Sequence, residues 1–199
     1  MKIKKKYKMI IVQLGANRGF DGLTKWINDN NPYIEKLILV EPVVLHHDSL
    51  NKCYENIQNK IIDSSAIGLE EGEFDLFWTP KDGPLYEVAS LVRSHVVKHW
   101  GDYDIRTMKV EVRTIDQILS KYNISKIDWL LIDVEGLDAE IALTLDWNKY
   151  DIKRVDIEHL HLGDKKESVL KMFQDNGYVS TEAFDLYGYD IAFNKKSVL

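Results

Sequence analysis

The feature that most constrains this chain is an alternation. Short runs of β-branched and aliphatic residues take turns with segments whose apolar residues recur at helical spacing. Met9–Leu14, Leu37–Val40, Ile61–Ala66, Ile127–Val134 and a run around Val155 and Ile157 read as buried strands. Between them, Leu23, Trp26 and Ile27, then Leu50, Cys53 and Ile57, then Leu137, Ile141 and Leu145 form helical stripes. A β-α-β-α-β order of this kind folds as a parallel sheet with helices on its faces.

The middle of the chain is less regular. Phe74–Thr79 reads as a strand and Lys81-Asp82-Gly83-Pro84 as a turn or loop. Ser90–Trp100 reads as a helix carrying Leu91, His95 and His99 at i, i+4 and i+8, and Val110–Arg113 as an extended segment. Thr114-x-x-Gln117 has the form of a capping box. Later, Asp164-x-x-Glu167 should start a helix that Gly177 stops, and Tyr178–Phe184 with Tyr189–Phe193 should close the sheet as an antiparallel hairpin.

Composition narrows the class. The 199 residues carry 26 Lys and Arg against 32 Asp and Glu, a formal charge of −6, which argues against broad binding to nucleic acid. One cysteine, Cys53, excludes an internal disulfide and a thiolate-built zinc site. Lys2, Lys4, Lys5, Lys6 and Lys8 resemble the start of a signal peptide, but the apolar run after them is short and broken by glycines. No stretch is long enough for a membrane span. The expectation is one domain over residues 1–199 of a soluble, cytoplasmic protein, its lysines a solvated lead-in to the first strand.

In an open α/β sheet the ligand sits beyond the carboxyl ends of the strands. After the first strand comes Leu14-Gly15-Ala16-Asn17-Arg18-Gly19, a glycine loop without the G-x-G-x-x-G spacing of dinucleotide binding. After the second comes Val40-Glu41-Pro42, a carboxylate suited to a pair of ribose hydroxyls. The third ends in Asp63-Ser64-Ser65-Ala66, small residues that leave room for a flat base. The fourth ends in Ile132-Asp133-Val134-Glu135, whose two acids point the same way if the backbone stays extended. The fifth ends in Glu158-His159-Leu160-His161 and should neighbour the fourth, so Glu135 and His159 are candidates for general base. Asp133, Glu158 and His159 are candidate ligands for a divalent cation such as Mg²⁺. His46, His47, His95 and His99 read as helix residues without chemistry, with the segment around Ser90 able to fold over the site.

Taken together, these pieces resemble the class I S-adenosylmethionine-dependent methyltransferases, and among them the FkbM type. The matching segments are Leu14–Gly19, Val40–Pro42, Ser65–Gly68, Val112–Asp116, Ile132–Gly136, Ile157–His159 and Asn176–Tyr178, in the family's order. The resemblance implies a Rossmann-like α/β fold: a mostly parallel seven-stranded sheet, a C-terminal antiparallel hairpin and helices on both faces. It implies O-methylation of a hydroxyl on a sugar, glycan or sugar-containing small molecule. By the match, Gly15, Ala16, Asn17 and Gly19 would wrap the methionine part of S-adenosylmethionine. Glu41, with Pro42 after it, would take the ribose, and Ser65 and Ala66 would lie beside the adenine. Asp133 would sit near the methionine amino group and the methyl, and Glu135 would face the acceptor. The family usually has an acid at Gln13, which helps hold the ammonium, and a lysine at Leu131. Those two departures keep a second reading open, a cofactor-binding or partner-recruiting module without catalysis. A nucleotide-binding oxidoreductase is a third, disfavoured by the glycine spacing. The small size suggests association with other glycan-processing enzymes or domains.

Overall fold

The computed structural model describes residues 8–181 and 188–196. The lysine lead-in before Lys8 and the 182–184 end of the expected hairpin strand lie outside those residues.

The strands in chain order are β1 (Lys8–Leu14), β2 (Tyr33–Val40), β3 (Lys60–Asp63), β4 (Ala66–Ile67), β5 (Gly72–Trp78), β6 (Arg106–Arg113), β7 (Lys126–Ile127), β8 (Trp129–Ile132), β9 (Asp151–Ile152), β10 (Arg154–Glu158), β11 (Tyr178–Thr181) and β12 (Asp190–Lys195). The helices are α1 (Gly22–Asn30), α2 (His47–Cys53), α3 (Arg93–Trp100), α4 (Ile115–Lys121), α5 (Asp138–Thr144) and α6 (Lys166–Asp175). A seven-stranded sheet runs in the order β11-β12-β10-β8-β1-β2-β3. Its β10, β8, β1, β2 and β3 are parallel, and β12 is antiparallel to both β10 and β11. This is the mostly parallel α/β sheet, closed by a C-terminal antiparallel pair, that the alternation of runs implies.

The two-residue period of a strand explains why these runs are apolar throughout. Val12, Leu14, Ile38, Val40, Leu130, Ile132, Val155 and Ile157 face a core shared with α4, α5 and α6. Ile11, Leu37, Leu39 and Trp129 face the opposite core, shared with α1 and α2. Neither face meets water, so neither tolerates polar alternation. Among the described residues, no helix is long and apolar enough to cross a membrane.

Most of the expected elements form, with several shifts. The Ile127–Val134 run is not one strand. Asp128 interrupts it, its carboxylate accepting from the Ile10 backbone N–H at 2.8 Å and from Lys153 Nζ at 2.6 Å. Ile61–Ala66 also divides: β3 stays in the main sheet, while β4 pairs with β6 in a small sheet with β5. The α2 stripe stops at Cys53, so Ile57 lies beyond the helix. The capping box at Thr114 and Gln117 forms as expected. Asp164 caps nothing. It lies in a single tight turn, Gly163–Lys165, and α6 starts after Lys165 without a side-chain cap.

Candidate active site

Strand order reverses at β1, between β2 and β8. The loops after β1 and β8 are therefore forced together at the carboxyl edge, where crevices of open α/β sheets form. Gly15 shows how closely they meet. Its φ is +78°, and a Cβ there would lie 1.6 Å from the Asp133 carbonyl oxygen. Only glycine fits both conditions. The Gly15 and Ala16 N–H groups both donate to the Val40 carbonyl at 3.0 Å, which pins the loop to the end of β2.

Glu41 completes that attachment. Its side chain is buried, accepting from the Asn17 N–H at 2.7 Å and the Val43 N–H at 2.8 Å. Glu41, Pro42, Val43, Ala66, Ile67, Leu76 and Tyr86 line a small cavity of about 80 Å³ that continues past Gly15 and Asp133. Ser65 is not in that wall. It is fully buried, and its Oγ donates to Asp63 Oδ1 at 2.7 Å. Asp63 also accepts from Lys121 Nζ at 2.8 Å and Tyr122 Oη at 2.6 Å. Burial opposes ionisation of Asp63, but these hydrogen bonds outweigh it and hold the carboxyl below its ordinary range. Ala66 alone of the expected adenine pair reaches the cavity.

A larger cavity of about 550 Å³ runs from the glycine loop past Gln13, Leu131, Asp133 and Glu135 to Glu158 and His161. Gln13, Leu131 and Asp156 form one row across β1, β8 and β10. Gln13 Nε2 donates to Asp21 Oδ2 at 2.6 Å, the same carboxylate that caps α1. Gln13 Oε1 is buried with no partner in the protein. An orphaned acceptor in a cavity wall suits a ligand that brings a donor.

Asp133 and Glu135 do reach one cavity, but not by strand alternation. β8 ends at Ile132, and Glu135 adopts φ +57°, with Gly136 next at φ +107°. Asp138, fully buried at the start of α5, holds this turn. Its two oxygens accept from Val134 N at 2.8 Å and Gly136 N at 3.0 Å. Burial raises the Asp138 carboxyl to about 6 despite those bonds. Asp133 lines the cavity and is exposed to it. The protein packed around its carboxyl, together with Glu135 and Glu158 nearby, raises its pKa above the usual carboxylate range. Glu135 is pushed up to about 9, first by burial and then by Glu158 and Asp138.

The partner of Glu135 is not His159. β10 stops at Glu158, His159 N–H still donates to the Tyr189 carbonyl at 2.8 Å, and the chain turns at Leu160 and His161, which re-aims the side chains there. His159 Nε2 sits 3.3 Å from the Gly188 carbonyl, outside the cavity wall. Two other histidines take the place expected for it. His95 Nε2 is hydrogen-bonded to Glu135 Oε2 at 2.8 Å. His161 Nδ1 lies 2.5 Å from Glu158 Oε2 and 3.7 Å from Glu135 Oε2. The Asp133, Glu158 and His159 cation set is therefore not assembled. Asp133 instead groups with Asp138 and Glu158, and Glu158 with Glu135 and His161.

His95 and His99 reach the site because the middle of the chain folds over it. Ser90 bridges to Phe77 of β5 through two backbone hydrogen bonds, and its Oγ donates to the Glu135 carbonyl at 2.6 Å. α3 comes directly after. Burial, then His161 and His99, drive the His95 imidazole down to about 3, so it is neutral at physiological pH. Burial lowers His99 as well. The sequence signal for these two residues is their i, i+4 spacing, which places them on one helix face.

A family model described as the methyltransferase FkbM domain matches residues 13–180. No curated protein matches the chain. Among solved structures, the chain is similar to methyltransferase FkbM from Methylobacillus flagellatus KT, with 16% identity and a TM-score of 0.57 over 94% of this chain. The chain spans 44% of that structure's length. It is also similar to a precorrin-6y C5,15-methyltransferase from Geobacter metallireducens GS-15, with 11% identity and a TM-score of 0.49 over 96% of this chain and 82% of the other. Fibrillarin from Aeropyrum pernix, in complex with natively bound S-adenosyl-L-methionine, gives 11% identity and a TM-score of 0.47 over 94% of this chain and 66% of the other.

Proposed function

The chain belongs to the FkbM methyltransferase family, and from that premise we propose that it is an S-adenosylmethionine-dependent methyltransferase acting on a hydroxyl of a sugar, glycan or sugar-containing small molecule. Residues 1–199 act in this reading as one methyltransferase domain. The observation that carries it is the run of one cavity from the glycine loop and Gln13 to the Glu135 carboxyl. A cofactor-binding wall and a proton-accepting group share that space.

The cofactor supplies an electrophilic methyl when bound. The residues present suit it. The orphaned Gln13 Oε1 accepts from an ammonium, standing in for the family's usual acid without its charge attraction. Gly15, Ala16, Asn17 and Gly19 shape the wall around the methionine part. Glu41, already oriented by Asn17 and Val43, keeps acceptor capacity for ribose hydroxyls. Pro42 and Ala66 border the base. Ser65 has no direct role in this reading and supports the wall through Asp63. Asp133 stands beside the methionine end.

The chemistry that remains is alignment and proton removal. A sugar hydroxyl attacks well only as its proton leaves. Glu135 is the group placed to take it. With nothing bound, its raised pKa favours the protonated form, and the positive charge of a bound cofactor would favour the carboxylate. His95 then holds that carboxylate by its Nε2 hydrogen bond. Alignment of the acceptor oxygen with the methyl supplies the rest of the rate.

The test is transfer of labelled methyl from S-adenosylmethionine into a pooled set of sugars and sugar-bearing metabolites. Label in an alkali-stable ether on one class of hydroxyl compound supports the reading. Cofactor binding without transfer to any hydroxyl would favour the binding-module alternative.

A further inference from the structure

His95, His99 and His161 bring their imidazoles together from α3 and from the turn after β10. Ring centroids lie 4.7 Å apart for His95 and His99, 4.3 Å for His95 and His161, and 5.2 Å for His99 and His161. One donor nitrogen from each lies within 4.8 Å of the others. His161 belongs equally to a second such group with Glu135 and Glu158. His99, His161, Glu135 and Glu158 all border the large cavity, so a bound ion would be reachable from it.

We propose that His95, His99 and His161 form a binding site for a divalent transition-metal ion of the zinc type, with the remaining position open to the cavity beside Glu135. Two histidines one helical turn apart present their donors to one point, the spacing used by helix-borne zinc sites. Three imidazoles with an adjacent position left for another ligand is a donor set of catalytic zinc centres. Imidazole nitrogen selects zinc, cobalt or nickel over magnesium and calcium, which prefer all-oxygen shells. The Glu158 carboxylate on His161 Nδ1 fixes that ring's orientation and leaves Nε2 for the ion, the usual carboxylate–histidine–metal arrangement. Gly136 keeps this space open from behind, since a Cβ there would stand 2.9 Å from His95 Nδ1. The site stands on donor geometry and is independent of the acceptor's identity.

The experiment is calorimetric titration of the metal-free full chain with Zn²⁺ and separately with Mg²⁺, alongside the visible absorption of the Co²⁺-loaded protein. One Zn²⁺ per chain, no saturable Mg²⁺ binding and the intense visible bands of four-coordinate cobalt are expected. His99→Gln and His161→Gln should each weaken Zn²⁺ binding by at least about 100-fold, because loss of even an outer-shell partner costs on the order of 10–100-fold. His159→Gln should bind as the wild type does. Circular dichroism of each variant establishes that it is folded. Absence of saturable Zn²⁺ binding by the folded wild type would overturn the proposal, as would an affinity unchanged in both His99→Gln and His161→Gln. S-adenosylmethionine titrated into the same metal-free sample reads the methyltransferase assignment separately.

Discussion

The two ends of the candidate site are built on different physical terms. At the glycine-loop end the polar groups are largely satisfied by backbone. Glu41 accepts two N–H groups, Gly15 and Ala16 share the Val40 carbonyl, and Asp21 caps α1 while holding Gln13. At the other end, Asp133, Glu135, Asp138 and Glu158 crowd together near three imidazoles, the carboxyls of Asp133, Glu135 and Asp138 are shifted upward, and His95 is shifted downward. The first end is held in place by these hydrogen bonds, as a binding surface should be. The second holds groups away from their preferred charge states, a pattern typical of sites that move protons.

The largest expected effect breaks the second end alone. Glu135→Gln keeps the shape but removes the proton acceptor, and turnover should fall by on the order of 10²–10⁴-fold, the usual size of a general-base contribution. Steady-state methyl transfer at saturating cofactor measures it. A variant with wild-type turnover would move the base elsewhere.

Gly15→Ala attacks the junction between the two ends. The new Cβ meets the Asp133 carbonyl at 1.6 Å with φ at +78°, so the loop or β8 must shift. A loss of about 3 kcal/mol in unfolding free energy is expected by urea denaturation, near the upper end for single substitutions.

Glu41→Ala should weaken S-adenosylmethionine binding by about 1.5–3 kcal/mol, the range for a hydrogen bond to a charged group. It also leaves the Asn17 and Val43 N–H groups without their partner, so calorimetry should be paired with a melting curve to separate affinity from loop damage.

The pH dependence of stability sharpens the contrast between the ends. The folded Glu135 pKa of about 9 lies above its ordinary value of 4.5, so the fold binds this proton more tightly than the unfolded chain does. Its stabilisation is complete below pH 4.5 and is lost as pH rises towards 9. His95 runs the other way. Its lowered pKa makes stability fall as pH drops below 6.5 towards 3. Between about pH 7 and 9 the raised carboxyls, Glu135 with Asp133 beside it, act in the same direction, and unfolding free energy of the ligand-free protein should decline, the Glu135 share being at most about 1.4 kcal/mol per pH unit. Chemical denaturation across that window should show the slope in the wild type and a flatter line in Glu135→Gln.

The smallest effect lies away from both ends. Thr114→Ala removes the capping box of α4 and should cost about 1 kcal/mol in stability. Its cofactor affinity and turnover should stay at wild-type values.

The same contrast explains how much of the molecule is legible in its sequence. The parallel sheet, the glycine loop and Glu41 emerge from local pattern: apolar runs buried on both faces, each ending where the crevice must be. Gln13, Gly15, Asn17, Glu41 and Ala66 accordingly border the two adjoining cavities where their place in the chain puts them. The other end depends on contacts between distant segments. His95 reaches Glu135 only because Ser90 ties α3 to both Phe77 and the Glu135 carbonyl. His161 replaces His159 because β10 ends at Glu158, short of the His161 end that its apolar pattern suggests. Ser65 turns inward because the buried Asp63 gathers Lys121, Tyr122 and Ser65 around itself. None of these distances is written in residue spacing.

The most direct test of the division between the ends is calorimetric titration of S-adenosylmethionine into three folded proteins: wild type, Glu41→Ala and Glu135→Gln. The account predicts one cofactor per wild-type chain, markedly weaker binding by Glu41→Ala and near-wild-type affinity in Glu135→Gln. Wild-type affinity in Glu41→Ala together with lost binding in Glu135→Gln would contradict it and exchange the roles of the two carboxylates.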